Sequence, residues 1–172
     1  MRLLAVTAIG HDRPGVIAAI TGALAELGGN LEDSTMTILR GHFAMMLIVS
    51  APAPPDAVER VLAPVGADLG LVVTVREVTA EASPGPVGGP HVLTVHGADR
   101  PGIVSAVTRL VADHGGNVTD LTTRLAGELY LLIAEVDLPP DTDVVELAGR
   151  LAGLAKELGV EASLRPAETD VL

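Results

Sequence analysis

The chain has 172 residues, a net charge of −11 and no cysteine, so disulfides, thiolate chemistry and cysteine-ligated metal are excluded. Both halves are acidic, −4 over residues 1–86 (5 basic, 9 acidic) and −7 over 87–172 (6 basic, 13 acidic); neither offers the clustered Lys and Arg that direct binding to nucleic acid or an anionic membrane needs. Hydrophobic residues make up 48% of the chain while Phe43 and Tyr130 are its only Phe, Trp or Tyr residues, which requires an aliphatic core and argues against base stacking.

Mean hydropathy is positive, at +0.46. The longest apolar runs, Phe43 to Val49 and Leu129 to Ala134, nevertheless fall far short of the ~20 residues of a membrane-spanning helix. A cytoplasmic protein with a soluble acidic surface is expected.

In chain order, Leu3 to Ile9 is an apolar run of strand formers, too short for a typical helix, and it ends in a turn over Gly10 to Gly15. From Pro14 the period changes: Val16, Ile17, Ile20, Leu24 and Leu27 form a helical stripe. Pro14 suits a first helical turn and Gly28 a left-handed stop. Asn30 to Leu39 and Phe43 to Ser50 predict an antiparallel hairpin around Arg40-Gly41-His42. A second helix is expected from Asp56 to Asp68 and a last strand from Leu71 to Val78. After Glu81 to Pro90, with three prolines and three glycines, the pattern starts again. It gives strand His91 to His96, helix Pro101 to His114, hairpin Val118 to Leu125 with Leu129 to Asp137, helix Asp141 to Leu158 and strand Val160 to Arg165. Because the first strand has an internal copy at Val92 to Val95, it is not a signal segment.

The recurrence is one of residues as well as of pattern. Gly10-His11-Asp12-Arg13-Pro14-Gly15-Val16 returns as Gly97-Ala98-Asp99-Arg100-Pro101-Gly102-Ile103, a shift of 87 that also carries Gly28-Gly29-Asn30 onto Gly115-Gly116-Asn117 and Asp33 onto Asp120. Between 10 and 33, 12 of 24 positions match their copy, so the chain is a tandem duplication. Expected are a first module over 1–79, a linker over 80–89, a second module over 90–166 and a tail over 167–172. Each module is βαββαβ. With right-handed crossovers that order makes a four-stranded antiparallel sheet with two helices on one face, the ferredoxin-like α+β arrangement. Modules of about 80 residues bury a low fraction of their surface, which favours packing of copies or a homodimer.

The repeated loop has a chemistry of its own. Backbone N–H groups near Gly15 and Val16, and near Gly102 and Ile103, meet the positive end of a helix dipole and favour an anion. Asp12 and Asp99 would repel a phosphate dianion. A zwitterion satisfies both, its carboxylate on the N–H groups and its ammonium on the aspartate, and an α-amino acid fits that description. Two uses of the aspartates stay open, this one and simple helix capping. Asn30 and Asn117 each follow a glycine pair in a tight reversal, where turn geometry or a donor and acceptor for ligand are both served. No G-x-S-x-G, Walker loop or H-x-x-x-H occurs, His11 has Ala98 as its copy, and His91 and His96 fall on opposite faces of a strand. A non-enzymatic chain is expected, with no cofactor and no metal.

Asp-Arg-Pro-Gly-Val/Ile after a first strand, an amphipathic helix, then Gly-Gly-Asn-Leu/Val and an acidic residue three positions on, all within βαββαβ, resembles the ACT domain. Two such modules over nearly the whole sequence are similar to the stand-alone tandem ACT proteins of the glycine cleavage system transcriptional repressor family. The motif is also akin to regulatory segments of formyltetrahydrofolate deformylase and some phosphoserine phosphatases. The resemblance implies an amino-acid ligand at domain interfaces and a regulatory role toward a protein partner such as a transcription factor, with ligand-independent protein binding as the alternative. The loop positions it marks are Asp12, Arg13, Pro14, Gly15 and Val16, and Asp99, Arg100, Pro101, Gly102 and Ile103. In serine-binding members a loop amide and an asparagine 18 positions later hold the ligand. The matching pairs here are Asp12 with Asn30 and Asp99 with Asn117, so aspartate replaces the first amide.

Overall fold

The computed structural model describes residues 1–79 and 89–167. The expected linker other than Gly89, and the expected tail other than Ala167, lie outside the described residues. The chain separates into two compact units.

The first unit runs β1 (Arg2–His11), α1 (Val16–Glu26), β2 (Asn30–Leu39), β3 (His42–Ala51), α2 (Pro55–Asp68) and β4 (Leu71–Glu77). Its sheet has the order β2-β3-β1-β4 with all neighbours antiparallel. Alternation in the sequence becomes sidedness in the sheet: Leu4, Val6 and Ala8 of β1 and Phe43, Met45, Leu47 and Val49 of β3 are buried, while their neighbours are not. Val16, Ile20 and Leu24 of α1 and Val58 and Leu62 of α2, each set spaced by four, enter that same core, so both helices cover one face. Each fully buried Leu or Ile contributes about 1.5–3 kcal/mol.

The glycine pair after α1 divides its work. Gly28 takes φ 71 and stops the helix, its N–H bonding Ala25 O at 2.9 Å. Gly29 is needed for space, since a Cβ there would lie 2.9 Å from Leu24 O and 3.1 Å from Val49. Gly116 repeats this against Val111 and Leu138, at 2.7 and 2.8 Å.

The second unit runs β5 (Pro90–Ala98), α3 (Ile103–Asp113), β6 (Asn117–Ala126), β7 (Leu129–Asp137), α4 (Val144–Leu158) and β8 (Val160–Pro166), with sheet order β6-β7-β5-β8. Both hairpins carry the same register shift, between Leu31 and Asp33 and between Val118 and Asp120. The two sheets, four helices and doubled βαββαβ order are the ferredoxin-like arrangement. His91 and His96 do face opposite ways: His91 is buried with Nδ1 2.7 Å from Gly89 O, and His96 is exposed beside Glu161.

Three helix starts differ from expectation. α1 and α3 begin at Val16 and Ile103, leaving Pro14 and Pro101 in the preceding turn, because Gly15 and Gly102 are left-handed N-caps (φ 89 and 95) that break the helical path. α4 begins at Val144, not Asp141, because the Asp143 side chain accepts the Glu146 N–H at 2.9 Å and caps it. Ile17, placed by its spacing on the core stripe, is 45% exposed.

Candidate functional site

The loop between β1 and α1 is held at its base, where the Asp12 N–H donates to Gly41 O at 3.0 Å. Beyond it Gly15 turns left-handed with nothing within 4 Å of where its Cβ would be, so the start of α1 is open. Val16 is 2% exposed and anchors the helix in the core; its N–H makes a long bond of 3.4 Å to Arg13 O. The next satisfied amide is Ala19, bonded to Gly15 O at 2.9 Å. Gly15, Ile17 and Ala18 therefore present N–H groups without a backbone acceptor among the described residues, at the positive end of the helix. In the second unit Ala106 bonds Gly102 O at 2.9 Å and the Gly102, Ile103, Val104 and Ser105 amides are left without a backbone acceptor among the described residues.

Asp12 and Asp99 are exposed and make no side-chain hydrogen bond or ion pair among the described residues. Helix capping, one of the two uses left open, is not what they do: the cap positions belong to the glycines and carry no side-chain bond. Arg13 and Arg100 reach the turn after the second helix of their unit, where a Cβ on Gly70 would be 3.8 Å from Arg13 Nη2 and one on Gly159 3.4 Å from Arg100 Nη2. A guanidinium there is favoured by the negative end of that helix.

A cavity of about 470 Å³ opens beside the first loop. Asp12, Arg13 and Gly15 form one wall, Val16, Ile17 and Ala18 another, and Met36, Ile38 and Phe43 of the hairpin a third. Its volume is in the range of small-molecule sites. Of the lining, Asp12, Arg13, Gly15 and Val16 are residues marked in the sequence, whereas Ile17, Ala18, Met36, Ile38 and Phe43 are not. The signal the sequence offers is Met36 and Ile38 alternating along a strand; Ile17 offers none, because its spacing puts it on the core stripe.

Asn30 does not join this cavity within its own unit. Leu3 pairs with Ser50 and Ser50 with Asn30, whereas His11 pairs with His42 at the other end of the sheet. About nine residues of strand separate the two ends, or about 30 Å. Pro90, Asp137 and Asn117 line up in the same way, far from Ala98 and Leu129 beside the second loop. The physical reason is topological: β1 and β2 are both antiparallel to β3, hence parallel to each other, and α1 returns the chain to the end where β1 began.

Elsewhere, a hollow of about 500 Å³ lies on the open face of the second sheet between β5 and β8, bordered by His96, Glu161 and Arg165. It contains no motif residue, and its His96–Glu161 pair, 3.5 Å apart, is solvent-exposed. Among the described residues no group of three or more His, Asp or Glu side chains is placed to hold a metal ion. No helix among them is long and apolar enough to cross a membrane.

Comparison with known proteins bears directly on the repeated loop. The chain is 28% identical over 169 residues, 94% of its length and 88% of the relative's, to the glycine cleavage system transcriptional repressor of Escherichia coli K12. It is 40% identical over 74 residues to a UPF0237 protein of Methanopyrus kandleri, covering 41% of this chain and 82% of that one. A crystal structure of an unknown protein from Galdieria sulphuraria matches with a TM-score of 0.81 at 29% identity, over 96% of this chain and 98% of the other. The ACT domain family model matches twice, at residues 2–76 and 90–165, each match containing one copy of the loop and one of the glycine pair, and the chain therefore belongs to the ACT domain family.

Proposed function

We propose that this protein is a non-enzymatic regulator that binds an amino acid at interfaces between ACT modules and passes its occupancy to a partner protein, in transcriptional control of amino-acid metabolism. The observation that carries the reading is the cavity beside the first loop, where an unengaged carboxylate, Asp12, stands near free helix-start amides above an apolar floor. Those groups complement an ammonium, a carboxylate and a side chain. The relation to a transcriptional repressor over 94% of the chain supports the regulatory part.

Because Asn30 lies at the far end of its own sheet, an asparagine that closes the site comes from a second module. β2 supports this: all ten of its residues are exposed, it is an edge strand, and Leu31, Met36, Ile38 and Leu39 lie along it. A second module laid antiparallel along β2 with two-fold symmetry carries its asparagine toward the Asp12 end. Ligand then bridges two modules and favours one packing over another, and the difference in affinity is the signal. The same bare edge favours a second reading, in which it docks a partner with no ligand.

A thermal-shift panel of free amino acids on the full chain tests this. A ligand at 100 times its Kd stabilises by about 2.7 kcal/mol, and the expected rise in Tm is lost when Asp12, Asn30, Asp99 and Asn117 are all replaced by alanine. No shift with any amino acid at millimolar concentration defeats the ligand reading and leaves the ligand-independent one.

A further inference from the structure

The walls of the cavity are not the same chemistry as the matching positions of the second unit. The shift of 87 persists in the strand registers: Met36 faces Met45 and Ile38 faces Phe43, as Thr123 faces Leu132 and Leu125 faces Tyr130. Lining positions can therefore be paired between units one by one. Ala18, Met36 and Phe43 give the first unit a methyl, a thioether and a phenyl ring. Their counterparts are Ser105, Thr123 and Tyr130, each of which carries a hydroxyl. The other apolar lining positions stay apolar, with Ile103 for Val16, Val104 for Ile17 and Leu125 for Ile38.

The hydroxyls are not spent on the fold in equal measure. Ser105 Oγ donates to Gly102 O at 3.1 Å, while the Thr123 and Tyr130 hydroxyls have no partner among the described residues. Phe43 is 1% exposed, and Tyr130 is only partly buried. By contrast the polar end is kept in both copies: Asp12 and Asp99, the left-handed Gly15 and Gly102, and free amides at each helix start, three in the first unit and four in the second. The groups that complement an ammonium and a carboxylate are thus kept in both copies, while the matching positions around a side chain have diverged.

We infer that the two units have different ligand specificities, the first for an α-amino acid with an aliphatic or thioether side chain, the second for one whose side chain hydrogen-bonds, such as a hydroxyl amino acid. This rests on the amino-acid reading above. An apolar wall discriminates by about 10- to 200-fold per methylene, and a hydroxyl-bearing wall discriminates further through the bonds an apolar ligand leaves unmade.

Isothermal titration of the full chain with leucine, methionine, serine and threonine separates the outcomes, every variant first being checked by its thermal melt. Leucine or methionine binding is expected to vanish in Asp12→Ala and persist in Asp99→Ala; serine or threonine binding should do the reverse. The exposed Met36→Thr change should weaken leucine and methionine about tenfold or more, and Thr123→Met should do so for the hydroxyl pair. If amino acids bind but both aspartate variants remove the same class, or the exchanges leave the preference unmoved, the divergence is refuted and the amino-acid reading stands. If none of the four binds, the assigned specificities are refuted, and the full thermal-shift panel decides the amino-acid reading separately.

Discussion

Gly15→Ala isolates the backbone geometry on which the loop depends. Gly15 has φ 89, and nothing lies within 4 Å of a Cβ placed on it, so the substitution meets no steric obstacle. Its whole cost is conformational, about 1–2 kcal/mol for holding an L-residue in the left-handed region. Gly22, in the middle of α1, makes the control, because a Cβ there also meets nothing within 4 Å but the backbone is helical. Replacing glycine by alanine in a helix interior stabilises by about 1 kcal/mol. The same methyl group in equally empty space should therefore act with opposite sign at two positions seven residues apart, a difference of about 2–3 kcal/mol. Urea denaturation followed by far-UV circular dichroism suits a chain with no tryptophan. With m of about 1–3 kcal/mol/M, the Gly15→Ala midpoint falls by roughly 0.3–2 M and that of Gly22→Ala rises. If the two variants shift together, the left-handed N-cap is not why glycine stands at Gly15.

Four further outcomes follow from the same geometry. Leu62→Ala, at a fully buried position of α2, should cost about 2–5 kcal/mol by denaturation, as a cavity in an aliphatic core does. Asp143→Ala should cost about 1 kcal/mol and fray the first turn of α4, read by amide hydrogen exchange at Glu146. Glu161→Gln breaks the His96 pair yet should move stability by less than about 0.5 kcal/mol, because Glu161 is 84% exposed; a larger loss in a melt would mean the pair is buried in an assembly. Asp12→Asn should leave the melting temperature unchanged, since the carboxylate holds nothing in the fold, while weakening amino-acid binding about tenfold or more in titration.

The sequence carried the fold because two signals agreed: hydrophobic period alternated between two and about 3.6, and the whole order recurred after 87 residues. Val16, Ile20 and Leu24 on the helix and Leu4, Val6 and Ala8 on the strand are where that pattern puts them. Helix starts were less legible, since Pro14 looks like a first-turn residue and the left-handed turn of Gly15 after it appears only in the folded backbone. Asp143 was readable in principle, followed as it is by Glu146 at capping-box spacing. The cavity was half legible. Its polar wall is the repeated motif, but Met36, Ile38 and Phe43 come from a hairpin whose distance from the loop depends on register, and register is not written in local sequence.

The separation of Asp12 from Asn30 alters what the motif can mean. Eighteen residues apart in sequence, they look like two sides of one pocket, yet a β-α-β crossover with parallel strands must put the end of the first strand and the start of the next strand at opposite ends of the sheet. On the proposed amino-acid reading, a motif that recurs with both elements in each copy is thus two half-sites per module, facing different ends. For each half to be used, modules have to meet edge to edge in opposite directions, and the bare ten-residue β2 is an edge on which they can. Ligand affinity and module association then become one linked equilibrium: whatever strengthens the pairing of modules tightens the ligand, by the same factor by which ligand strengthens the pairing. A change confined to the exposed edge and outside the cavity lining, Leu39→Lys for instance, should accordingly lower amino-acid affinity at a loop it does not bond to, with loop geometry unaltered.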